Sequence, residues 1–130
     1  MKFFHLADLH LGKVVHGFSM LADQRYVLEQ VLQAAHQQRP AAVLLAGDLY
    51  DRRVPSGGAV ALLNWFLTQL AEAHIPCLAI AGNHDSGVRI GFASKILEKQ
   101  GLYLAGTATA ELPHVRFTQD NVSADVWLLA

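Results

Sequence analysis

Three short apolar runs in the chain each stop at a polar motif, and that repetition constrains the fold more than any other feature. Lys2 to Ala7 leads into Asp8-Leu9-His10, Ala41 to Ala46 into Gly47-Asp48, and Ile75 to Ala81 into Gly82-Asn83-His84-Asp85. Each run has the length and apolar content of a strand. The middle one is apolar throughout, which suits a strand covered on both faces. Helical patterns lie between them. Leu21, Val27, Leu28, Val31, Leu32 and Ala35 recur at helical spacing, with Ser19 as a fitting N-cap, a stop near Gln38 and Pro40 beyond it. Ala59 to Ala73 predicts a second helix, apolar almost all round, which therefore has more than one buried face. The alternation of strand and helix predicts right-handed crossovers, parallel pairing and an α/β fold.

Smaller elements complete the chain. Lys13 to Phe18 and Ser86 to Gly91 read as loops, and Phe92 to Gln100 as a short helix closed by Gly101. Leu102 to Ala105 reads as a fourth strand. Val115 to Thr118 and Asp125 to Leu129 read as two further strands that pair with each other.

Composition serves mainly to exclude. Of 130 residues, 52% are hydrophobic and 16% charged, which is the make-up of one globular domain rather than a disordered segment. The formal net charge of -1 leaves a nucleic-acid partner open, because a local basic patch suffices on a neutral protein. Cys77 is the single cysteine, so no disulfide closes within the chain; its apolar setting reads as a small buried hydrophobe in a reducing compartment. No apolar run nears the ~20 residues of a membrane span, and Asp8 arrives too early for a secretory leader. The expectation is a soluble, cytoplasmic protein with no membrane partner.

In an α/β sheet the carboxyl ends of parallel strands share one edge, where ligands bind. The three motifs are therefore expected to meet there. Each is bland alone: Asp8 with His10 could be a capping carboxylate beside a surface imidazole, and Asn83-His84 could be a turn. Together they present carboxylate, amide and imidazole donors without a thiolate, which favours Mn²⁺, Fe²⁺, Mg²⁺ or Zn²⁺ at a hydrolytic centre. Strand alternation would put Asp8 and His10 on one side. The two oxygens of Asp48 could bridge two ions, and ions ~3.5–4 Å apart can activate water and steady an in-line displacement at phosphorus. Asp85 could hold the His84 ring in one tautomer. Gly47 and Gly82 would allow tight turns and close backbone approach.

In this order and spacing, the three motifs resemble those of the calcineurin-like metallophosphoesterases. Their flanks, Ala7-Asp8-Leu9-His10-Leu11-Gly12 and Leu45-Ala46-Gly47-Asp48-Leu49-Tyr50-Asp51, are similar to the SbcD-type nuclease subunits of bacterial SbcCD complexes. The resemblance runs from residue 1 to about residue 105. It implies that residues 1–130 are the N-terminal part of a metallophosphoesterase sandwich, with the rest of that domain, a capping domain and an SbcC-docking segment outside the chain. It implies a Mn²⁺-dependent 3′-5′ exonuclease and endonuclease acting in DNA recombination, replication and repair, with an SbcC-type coiled-coil ATPase as partner. By position, Asp8 and His10 would hold the first metal, Asp48 would bridge, and Asn83 would hold the second. His84 would stay off the metals and stabilise or protonate the reacting phosphate, with Asp85 orienting it. The family completes both metal shells with histidines in downstream Gly-His motifs, and His114 matches neither; the two-metal site is therefore expected to be incomplete in residues 1–130, which alone would bind metal weakly and lack nuclease activity.

Two surfaces follow. Lys13, Arg52, Arg53 and Arg89 lie in loops just after the motifs, as does His16, and are the candidate DNA contacts. On the second helix, Leu63, Phe66, Leu67 and Leu70 are expected to cover the sheet. Val60, Leu62 and Trp65, with Ile96 and Leu97 of the following short helix, would then form the face of a homodimer. Two other readings remain: a different calcineurin-like phosphoesterase, such as a phosphatase or nucleotide phosphodiesterase, and a non-catalytic dimerisation or scaffold module.

Overall fold

The structure is a computed structural model that describes residues 1–130. In chain order its elements are β1 (Phe3–Leu6), β2 (Val14–Val15), β3 (Phe18–Ser19), α1 (Leu21–Gln38), β4 (Ala42–Ala46), α2 (Gly57–Glu72), β5 (Cys77–Ile80), α3 (Gly87–Ile90), α4 (Ser94–Leu97), a 3₁₀ turn (Glu98–Gln100), β6 (Leu102–Ala105), β7 (His114–Gln119) and β8 (Val122–Trp127). Four strands form a parallel sheet in the order β1-β4-β5-β6, with Phe3 beside Ala42, Val43 beside Cys77 and Cys77 beside Leu102. This is the parallel α/β sheet expected from the sequence.

Each crossover steps one strand in the same direction. Right-handed crossovers of that kind place every connecting helix on one face. Leu28, Leu32 and Ala35 of α1 and Leu63, Phe66 and Leu70 of α2 accordingly share one core with Val43, Leu45, Cys77 and Ala79. The alternate residues Ala42, Leu44, Leu78 and Ile80 face the other way, as strand geometry requires. The hairpin of β7 and β8 covers them, supplying Val115, Phe117 and Val126, and Phe117 meets Phe3 edge to face at 5.5 Å. Cys77 is fully buried, and burial pushes its thiol up to about 12. No helix is long and apolar enough to cross a membrane.

Several local expectations change. The expected loop from Lys13 to Phe18 contains a small hairpin: β2 and β3 pair around His16-Gly17, whose φ values of 50° and 79° make the two-residue turn. Ser19 belongs to β3, so Met20 takes the N-cap position of α1; the Ser19 hydroxyl still accepts from the Leu21 N–H at 3.4 Å. Helix α2 begins earlier than expected because the Ser56 hydroxyl accepts the Ala59 N–H at 3.2 Å. Residues 86–91 carry the single turn α3 rather than a loop. The expected helix from Phe92 starts only at Ser94, because Ala93 is left-handed at φ 58°, and it tightens into a 3₁₀ turn before Gly101. Asp120 and Asn121, both left-handed, close the β7–β8 hairpin and lengthen both strands beyond the sequence reading.

The expected outward face of α2 also changes. Leu62 is buried at 6% exposure, Trp65 is half-buried under the Arg25 guanidinium at 4.2 Å, and Leu97 packs against the main core. Helix α1 crosses against α2 and covers that side within the chain. Val60 and Ile96 remain exposed, at 44% and 70%.

Candidate metal centre

The first two motifs stay paired after their strands end. The Asp8 N–H donates to the Gly47 carbonyl at 3.1 Å, His10 N–H to Asp48 at 2.9 Å, and Leu11 N–H to Leu49 at 2.9 Å. The Asp51 N–H returns to the Leu11 carbonyl at 3.1 Å. Asp8, His10 and Asp48 all lie in the left-handed region, at φ 55°, 45° and 49°. Aspartate and histidine tolerate that region better than most residues, and such strain collects at functional sites. The third motif fits beneath because residue 82 is glycine: a Cβ there would collide with the Asp48 backbone and carboxylate.

Asp48 joins the motifs. Its Oδ1 accepts the His84 backbone N–H at 2.8 Å, and its Oδ2 lies 3.7 Å from His10 Nε2. The His10 and His84 rings meet edge to face at 4.8 Å. One donor atom from each of His10, Asp48 and His84 lies within 4.8 Å of the others, with Asp48 buried, His10 half-buried and His84 exposed. Imidazole and carboxylate donors without thiolate suit a hard or borderline divalent ion. His10 Nδ1 is buried without a hydrogen-bond partner, so the polar capacity of this cluster is not consumed within the fold.

Asp8 is not part of this cluster. Its residue lines a groove against α1 with Asp23 and Gln24. Strand alternation fails to relate Asp8 to His10 because β1 ends at Leu6 and both residues are left-handed. Asn83 lines a neighbouring cleft of about 690 Å³ with Arg53, Ser86, Arg89 and Thr107. Arg89 Nη1 donates to the Arg53 carbonyl at 2.9 Å, tying the loops after the second and third motifs together. Of the candidate DNA contacts, Arg53 and Arg89 thus share the cleft with Asn83. Lys13 and His16 are exposed on the β2–β3 hairpin, and Arg52 is exposed beside Arg53.

Asp85 has a different place from the one expected. Its carboxylate accepts the N–H groups of Leu49 at 2.9 Å, Tyr50 at 2.8 Å and Gly82 at 2.9 Å, and it is buried at 5% exposure. It therefore staples the second motif to the third and makes no hydrogen bond to the His84 ring. Burial and the Asp85 charge hold the Tyr50 phenol above its usual range. The His84 ring is held instead by the Asp51 carbonyl, 2.9 Å from Nδ1. Sequence reasoning missed two residues that shape the centre. Asp51 stood in view, three residues after Asp48, as a second carboxylate. Gln24 carried no signal; its side chain accepts the Gly12 N–H at 3.0 Å and donates to the carbonyls of Leu9 at 3.2 Å and His10 at 2.8 Å.

Comparison with known proteins agrees with this geometry. The calcineurin-like phosphoesterase family matches residues 1–127. The chain belongs to that family. It is 41% identical over 105 residues to the SbcD component of the SbcCD nuclease of Staphylococcus saprophyticus, which covers 80% of this chain and 28% of that protein. It is 42% identical over 105 residues to the same component in Staphylococcus epidermidis, with the same coverage. The chain thus spans about 28% of the length of these curated relatives.

Proposed function

We propose that this chain carries part of the catalytic centre of an SbcD-type, metal-dependent DNA nuclease. The observation that carries the reading is the convergence of His10, Asp48 and His84 beside the cleft of Asn83, Arg53 and Arg89, in a chain 41% identical to an SbcCD nuclease component. The reaction is hydrolysis of DNA phosphodiesters, as 3′-5′ exonuclease and endonuclease, in recombination, replication and repair. A bound divalent cation, Mn²⁺ in this reading, supplies positive charge to the phosphate and lowers the pKa of water. Asp8, His10, Asp48 and Asn83 would hold it. Arg53 and Arg89, with Lys13, His16 and Arg52, track the phosphate backbone.

His84 acts on the reacting phosphate. Its Nδ1 faces a carbonyl, which only accepts, so Nδ1 carries the proton and Nε2 is free. Protonated at Nε2, the ring can donate to a phosphate oxygen or to the leaving group. Its place among the possible ligand atoms favours a second reading, in which His84 also binds metal. The partners are DNA, an SbcC-type coiled-coil ATPase and a second copy of the chain, in the cytoplasm.

Paired measurements of Mn²⁺ affinity and DNA cleavage, made on a full-length protein that carries this chain and the remaining metal ligands, test these roles. Asp48→Ala should abolish Mn²⁺ binding. His84→Gln should leave binding largely intact while turnover falls roughly 10²–10⁴-fold, the range for a lost general acid. Loss of Mn²⁺ in His84→Gln would establish the ligand reading instead. Cleavage that needs no metal would overturn the proposal.

A further inference from the structure

We propose that the cleft of Asn83, Arg53 and Arg89 continues past the metal centre, over a contact between Gly87 and Gly106, into a second polar cleft where Lys95 takes a phosphate of one DNA strand. This rests on the nuclease reading above and extends it to a surface that none of the three polar motifs marks. The second cleft, of about 370 Å³, is lined by Ser94 and Lys95 of α4, by Glu98, and by Thr107 and Thr109 in the segment after β6. It shares Gly87, Val88, Gly106 and Thr107 with the first cleft.

The sheet order places the two clefts side by side. The metal cluster lies where β1, β4 and β5 end, and β6 is the next strand along the same carboxyl edge. The Ala81 N–H donates to the Ala105 carbonyl at 3.0 Å, so the segments leaving β5 and β6 stay together. Gly87 then meets Gly106. A Cβ on either residue would collide with the carbonyl oxygen of the other. The clefts therefore join over bare glycine backbone, which a ligand chain can approach closely.

The lining suits a sugar-phosphate chain rather than a base. No aromatic side chain lines either cleft, so neither offers a base a stacking surface. Both offer cations or hydroxyls: Arg53 and Arg89 in the first, and Lys95 with the hydroxyls of Ser94, Thr107 and Thr109 in the second. Such groups bind phosphate oxygens and fix the position of a strand without reading its sequence. Lys95 is exposed and makes no ion pair. Asp85 lines the first cleft, but three backbone N–H groups already serve its carboxylate. Glu98 is the one carboxylate of the second cleft and opposes a phosphate there.

Binding of a 20-residue oligodeoxythymidylate to a full-length protein that carries this chain tests the proposal. Divalent metal is left out so that no cleavage follows, and the salt concentration is varied. Lys95→Ala should weaken binding and lower the salt slope by about 0.7, the value for one phosphate contact on a single strand. Lys95→Arg should keep the slope, and Glu98→Gln should tighten binding. Lys99→Ala removes a nearby cation that lines neither cleft and should leave the slope unchanged. Oligodeoxyadenylate of the same length should give the same Lys95 effect. An unchanged slope in Lys95→Ala would overturn the proposal, as would equal falls in Lys95→Ala and Lys99→Ala or an effect confined to one base. A slope that falls in Arg89→Ala but not in Lys95→Ala defeats the extension and leaves the nuclease reading standing. A wild type that binds neither oligonucleotide defeats both.

Discussion

The Asp85 carboxylate accepts three backbone N–H groups, from Leu49, Tyr50 and Gly82, at 2.8–2.9 Å. Two lie in the loop after β4 and one in the loop after β5, so a single side chain sets the distance between two motifs. Asp85→Ala would leave those donors without partners in a buried place. Each such group costs about 1–3 kcal/mol. The expected loss is therefore roughly 3 kcal/mol or more, read as a lower urea midpoint with an unchanged slope. The His84 tautomer should survive, because the Asp51 carbonyl selects it. A loss under about 0.5 kcal/mol would show that Asp85 does not hold the two loops together. The identity of this residue was legible in the Gly-Asn-His-Asp motif, but its task was not. Adjacency in sequence pointed to the His84 ring, whereas the donors it serves include two more than thirty positions upstream.

Helix α1 shows the same limit one scale up. Its apolar spacing was readable, and Gln24 fell on the polar stripe that normally faces water. In the fold, that side chain turns toward the loop from Leu9 to Gly12 and makes three hydrogen bonds with it. The loop contains His10 and Gly12, both left-handed, at φ 45° and 89°. Gln24→Glu keeps the length and one acceptor for the Gly12 N–H, but sets an oxygen against the carbonyls of Leu9 and His10. A loss of about 1–3 kcal/mol is expected from the two unserved carbonyls and the repulsion. Amide hydrogen exchange should rise across residues 9–12 and stay level in β4 and β5. Protection unchanged in that loop would show that α1 does not hold it. Short elements were the least readable. The hairpin of β2 and β3 has two residues in each strand, too few to form a period, and only His16-Gly17 marked its turn.

Assembly belongs to the whole molecule. Val88, Phe92 and Ile96 are 81%, 79% and 70% exposed, and Val60 is 44% exposed. Leu62 is buried in the chain's own core, and Trp65 and Leu97 pack half-buried against it. Contiguous apolar surface of several hundred Å² is uncommon on a monomer. Of the residues proposed for the two-fold interface, Val60 and Ile96 remain exposed to serve it, and Val88 and Phe92 are exposed close to Ile96 in the sequence. Sedimentation of the chain at micromolar concentration should give a dimer, and Phe92→Asp with Ile96→Asp should give a monomer of unchanged helical content. A wild-type monomer would remove the interface. Val88 was outside the expected interface because the sequence pattern reads the span from Ser86 to Gly91 as a loop, while the fold makes it a helical turn; Phe92, read as the first residue of a helix, lies instead in the turn before α4.

The sequence by itself determined the parallel α/β sheet and the three polar motifs at its carboxyl edge. Those follow from local apolar patterning, from helices long enough to cross between strands, and from the handedness of such crossovers. It also determined which side chains could serve a metal, because donor chemistry belongs to the residue and not to the fold. Only the tertiary structure decided how those side chains are divided. Left-handed backbone at Asp8 and His10 cancels strand alternation and sends Asp8 to the groove beside α1. A close approach at Gly82 brings Asp48 under the His84 backbone. Asp85 and Gln24 take their roles from backbone groups remote in the chain, and a hydrogen bond between remote groups is set by where the fold ends each strand.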